Sequence, residues 1–124
     1  MNRKLLAVTL LLLFAAMLYA QGNKSVTITG NLLDNACAES AKDLDAKAKN
    51  HSTSCALMDS CETSGYAVYA DHKLYKLDDK GNSSAAELLK STKTLKGLKV
   101  SVEGTVDGDT IHVTKLTEVT AATN

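Results

Sequence analysis

The chain is 124 residues long, with 14 Lys and Arg against 14 Asp and Glu and a formal net charge of zero. It has no Trp and no Pro, and its one Phe, Phe14, lies near the N-terminus, so little aromatic surface is left for stacking bases or sugars. No basic patch is visible along the sequence, which argues against nucleic acid and anionic membrane surfaces as partners.

Residues 1–20 read as a secretory signal peptide. Arg3 and Lys4 precede an apolar run, LLAVTLLLLFAAMLYA, that closes on the small residue Ala20. At about 16 residues the run is shorter than the roughly 20 needed to span a bilayer as a helix. The expectation is an exported protein, periplasmic or secreted, cut after Ala20 and without a stable membrane span thereafter. No cysteine follows the run, which speaks against a lipid anchor. Removing Arg3 and Lys4 from the 14 basic residues leaves 12 against 14 acidic ones, a net charge near −2. Residues 21–124 suit one small domain, of a size that often needs a disulfide or a metal as a staple.

The first element is SVTITGNLL, whose period-2 alternation puts Val26, Ile28 and Leu32 on one face of a half-buried strand. Gly30 marks a bend in it. Residues 34–64 change character and form an insert. DNACAESAKDLDAKAKN suits a surface helix, because only alanines and Leu44 supply an apolar stripe. HSTSCALMDSC follows at 51–61, with another helical turn expected and Leu57 and Met58 as core plugs. YAVYA and KLYKL, parted by Asp71-His72, read as a hairpin. Asp78-Asp79-Lys80-Gly81-Asn82 reads as a turn; it lacks the later glutamate of a calcium loop. Ser84 and Glu87, three apart, then mark a capping box at the start of a helix faced by Ala85, Leu88 and Leu89. LKVSVEGTV points Leu98, Val100 and Val102 inward, and Asp107-Gly108 predicts a type I′ turn. The returning strand turns Ile111 and Val113 inward, and the shift of the apolar set to Leu116 and Val119 signals a bulge. His72 and His112 are expected in solvent, and Tyr66, Tyr69 and Tyr75 on the sheet wall.

Five strands, a helical insert after the first and a helix between the third and fourth describe a mainly β protein with short helices (α+β). The arrangement is that of a small five-stranded, OB-like barrel with a helical Cys/His insert between its first two strands.

The chemistry concentrates in Cys37, His51, Cys55 and Cys61. An odd number of cysteines in an exported chain cannot all pair internally. One reading is a metal site of three thiolates and an imidazole, for zinc or copper. His51 and Cys55 are four apart, the spacing of one helix face. The other is a disulfide with a spare thiol. A Cys37–Cys61 loop of about 25 residues would stabilise by roughly 3.5 kcal/mol and a Cys55–Cys61 loop of about 7 by roughly 2.4. Thiol-redox chemistry is the third possibility; there is no C-x-x-C motif.

HSTSCALMDSCETSGYAVY, KLYKLDDKGN and LKVSVEGTVDGDTIHV resemble a family of small exported bacterial proteins of uncharacterised function. The matching positions are Cys37, then His51, Cys55, Leu57, Met58 and Cys61 in a His-x3-Cys-x-Leu-Met-x2-Cys segment, then Ser64, Gly65 and Tyr66. The resemblance spans nearly all of residues 21–124 and implies an OB-like barrel with a Cys/His insert; it implies no activity. With no paired acids, nucleophile elbow or phosphate loop in view, the sequence describes a non-enzymatic binding module of unknown ligand. Two classes compete, and one is a metal-binding module using Cys37, His51, Cys55 and Cys61. A disulfide-stapled interaction domain is the alternative.

Overall fold

A computed structural model describes residues 24–120. The signal peptide expected at 1–20 and the terminus expected at Gln21 lie outside the described residues.

Among the described residues five strands form one mixed, mostly antiparallel sheet: β1 (Ser25–Asp34), β2 (Tyr66–Ala70), β3 (Lys73–Leu77), β4 (Lys99–Asp107) and β5 (Thr110–Glu118). Their order is β1-β2-β3-β5-β4, and β1 also pairs with β4, so the sheet closes on itself. The β3–β5 pair is parallel and short, Lys76 opposite Thr110 and Leu77 opposite Ile111. One strand makes closure possible. β1 pairs with β4 along Ser25–Asn31 and with β2 along Asn31–Asp34. The exchange falls at Asn31, next to Gly30, where an added Cβ would sit 2.2 Å from the Tyr69 carbonyl oxygen. Only a residue without a side chain lets β2 come that close.

The inward faces fill the main core with Leu32, Tyr66, Val68, Leu77, Leu98, Val100, Val102, Ile111 and Val113. The alternation expected of β4 and β5 is observed. At the start of β1 it is not: Val26 is exposed. The bulge is real, and it lies on β5. Glu103 pairs with Lys115 and Gly104 with Val113, which leaves Thr114 as the extra residue, its hydroxyl donating to the Glu103 carbonyl at 3.0 Å. Asp71 and His72 both take positive φ, 49° and 62°, so the primed turn is theirs. The Asp-Gly turn differs from expectation by one residue. Asp107 stays in the ladder opposite Thr110, and the loop is Gly108-Asp109, with positive φ at Gly108 alone.

Four short helices fill the connection between β1 and β2: α1 (Asn35–Ser40), α2 (Leu44–Asn50), α3 (Thr53–Ala56) and α4 (Asp59–Ser64). The single surface helix expected over 34–50 is therefore two. Asp43 turns extended, and its carboxylate accepts from Ala46 N to start α2 afresh. The alanine stripe is not merely superficial. Ala38 and Ala48 bury themselves against Leu33 on the outer side of β1, with Leu44, Tyr69 and Leu74 around them. Met58 is 56% exposed and plugs nothing, whereas Leu57 does pack on the main core.

α5 (Asp79–Ser91) begins at Asp78, whose carboxylate accepts from Gly81 N, and not at the Ser84–Glu87 pair. The turn-like DDKGN is its first turn. Poor helix formers are held there by tertiary contacts: Asn82 Oδ1 accepts from Tyr66 N at 2.8 Å, and Gly81 lies flush against Val113 and Leu77. Ala85 and Leu89 are buried, as the apolar face predicts. Among the described residues no helix is long and apolar enough to cross a membrane.

Candidate metal centre

The insert is tied back to the sheet at its two ends, and the site lies at one of these ties. Asp34 is the last residue of β1, paired with Tyr66 in the ladder and fully buried. Its side chain also caps α1: Oδ1 accepts from Cys37 N at 2.8 Å. An Asp three residues before the cysteine thus does two jobs. The cap fixes one carboxylate oxygen and aims the other, Oδ2, across the start of the insert.

Oδ2 accepts from His51 Nε2 at 2.7 Å. His51 is 6% exposed and sits just past the end of α2 in an extended conformation. Its carbonyl accepts from Gly97 N, and the following Thr53 is bound through backbone and hydroxyl to Leu95 and Thr94. The 94–97 loop thereby holds the imidazole in place. The helix-face argument for His51 and Cys55 does not apply, because the chain leaves α2 at His51 and starts α3 only at Thr53.

Cys37 completes the group. The donor atoms of Asp34, Cys37 and His51 all lie within 4.8 Å of one another. Burial, the negative charge of Asp34 and hydrogen bonding to it push the Cys37 thiol from 9.0 up to about 11, the Cys61 charge adding to this and Lys47 opposing it. At neutral pH the side chain is a thiol, a poor nucleophile until something replaces its proton.

Cys55 and Cys61 do not belong to this trio. All three cysteines are free thiols. Cys61 is buried on α4, which packs against α1. The Tyr66 hydroxyl donates to the Ala56 carbonyl at 2.8 Å, and burial together with Glu62, Asp34 and Cys61 pushes it up to about 12. Cys55, on α3, is half-buried and borders an open cleft shared with His51. His72 and His112 are exposed beside Asp45 and Asp78, away from the trio. Asp34 is the residue that sequence reasoning missed. Its signal was present: an Asp between a strand and a helix, three residues before the helical Cys37, is a helix N-cap.

An S, N, O donor set suits zinc. Zinc bonds of about 2.0–2.3 Å need donors somewhat further apart than the Asp34–His51 hydrogen bond, so the carboxylate and imidazole must part slightly. Binding would then release the Cys37 thiol proton. Comparison with protein-family models, curated proteins and solved structures finds no match to this chain.

Proposed function

We propose that this protein is an exported metal-binding module that holds zinc at Asp34, Cys37 and His51. One observation carries the reading: a carboxylate, a thiol and an imidazole from three separate elements converge within 4.8 Å, two of them inside the protein. Buried ionisable groups are costly unless paired or coordinated. Three protein ligands leave a fourth position for an outside ligand. A single thiolate favours zinc over copper(I), which prefers several soft sulfurs, and the exposed Met58 supplies none. The strand order β1-β2-β3-β5-β4 and the parallel β3–β5 pair support reading the scaffold as an OB-like barrel. Export rests on the signal-like residues 1–20 and is checked by N-terminal sequencing of the mature protein, expected to begin at Gln21.

The test is zinc titration by calorimetry and absorbance. Wild type is expected to bind one equivalent, and Asp34→Asn, Cys37→Ser and His51→Ala each to bind at least tenfold more weakly, as loss of a ligand implies. Equal affinity in wild type and Cys37→Ser would end the reading. A second reading, a disulfide staple, is favoured by a separate observation: Cys37 and Cys61 stand on two helices, α1 and α4, that pack against each other. Intact mass of protein taken from an oxidising compartment separates the two, since a staple removes two hydrogens and a zinc site does not.

A further inference from the structure

His51 is among the residues that line an open cleft of about 530 Å³, a size suited to a small molecule. Lys42, Lys47 and Lys96 line it, from the α1–α2 connection, α2 and the loop before β4. Asp43 is the one acid among the lining residues, and its carboxylate is engaged as the cap of α2. None of the three lysines makes a salt bridge among the described residues, whereas Lys76 and Lys90 each pair with a glutamate. Dispersed at positions 42, 47 and 96, these charges make no patch along the sequence; folding gathers them around one concavity in a chain whose overall charge is zero. Like charges in a concave wall raise the local concentration of a ligand of opposite sign.

We propose that this cleft is a binding site for a small anion, a phosphate or a carboxylate, placed beside the metal centre. Lys42, Lys47 and Lys96 attract and hold the anion, and the Cys55 thiol lies in the same wall. The site rests on the cleft and its charges and would bind without metal; where the metal reading also holds, the anion lies next to His51, one of the residues that would hold the metal.

The experiment is a titration of the isotope-labelled, chelator-treated protein with inorganic phosphate and separately with succinate, at low salt, read by amide chemical shifts. Shifts centred on residues 42–52 and 96 are expected, with binding weakened at least tenfold in Lys42→Gln/Lys47→Gln/Lys96→Gln and unchanged in the remote control Lys80→Gln/Lys115→Gln. Site-resolved alkylation gives an independent readout. Relative to the unfolded chain, iodoacetate should gain on neutral iodoacetamide at Cys55 by about tenfold at low salt, and the gain should vanish in the triple variant. A response to phosphate alone names a phosphate, and a response to succinate alone names a carboxylate. No response to either up to tens of millimolar overturns the proposal, as does binding that survives the triple variant. Zinc affinity measured on the same triple variant keeps the two readings apart. If it is retained while phosphate binding is lost, the cleft acts independently of the metal. If Asp34→Asn loses zinc yet still binds phosphate, the anion site stands without its neighbour.

Discussion

Removing His51 takes away more than a ligand. Its imidazole is the partner of a fully buried carboxylate, and breaking such a pair from one side strands a charge in the interior. His51→Ala is therefore expected to lower the unfolding free energy of metal-free protein by about 3–5 kcal/mol in a urea titration. A loss under about 1 kcal/mol would mean that Asp34 finds water or another partner. It follows that stability of His51→Ala cannot by itself tell a metal site from a disulfide; Cys37→Ser, whose backbone N still reaches the Asp34 cap, is the cleaner variant. Cys37 carries its own prediction. Its folded value of about 11 lies above the ordinary 9.0, so the protonated thiol's contribution to stability is complete below about pH 9 and lost as pH rises through about 11. The alkylation rate of Cys37 in metal-free protein, followed by peptide mass, should still be climbing at pH 10. A plateau near pH 9 would show the thiol to be unaffected by burial and by Asp34.

Among elements, β4 and α5 give opposite lessons about substitution. On β4, Val100 is completely buried and Lys99 exposed, so Val100→Asp should unfold the protein or cost several kcal/mol, while Lys99→Asp should stay within about 0.5 kcal/mol. Equal melting midpoints would place the strand's faces the other way round. On α5 the propensity rule should reverse. Gly to Ala inside an open helix gains about 1 kcal/mol. At Gly81 the new Cβ would meet Val113 Cγ2 at 2.6 Å and Leu77 Cβ at 2.9 Å. Overpacking costs about 1–3 kcal/mol, so Gly81→Ala should lower the thermal midpoint. A raised midpoint would mean that α5 can move off β5 at little cost.

The whole molecule divides into a large core inside the closed sheet and a small alanine-based one beneath the insert. Alanine buries little apolar area, and the insert's helices are four to seven residues long, too short to be stable alone. Native-state hydrogen exchange should accordingly show α1 and α2 opening at much lower free energy than β1, β4 and β5. Ligand binding at Asp34, Cys37 and His51 would join the end of β1 to both helices, so saturating zinc should slow exchange in α1 and α2 selectively. Uniform exchange across insert and sheet in the metal-free protein would show a single cooperative unit instead.

The strands were legible because alternation is a local record of burial: Val100, Val102, Ile111 and Val113 each announce a face by their neighbours alone. The helical insert and the α5 apolar face were legible for the same reason, through composition and period. The start of α5 was not, because Gly81 and Asn82 are poor helix formers held by Val113 and Tyr66, residues far away in sequence. The two-helix break at Asp43 was local but weak, one cap among several polar residues. For the site, sequence by itself named Cys37 and His51 by their chemistry. Only the closed sheet decided which residues join them, because the end of β1 brings Asp34 opposite His51 while Cys55 turns to a cleft. The gathering of Lys42, Lys47 and Lys96 was beyond any local pattern, since charges so dispersed along the chain meet only where the insert folds back onto the loop before β4.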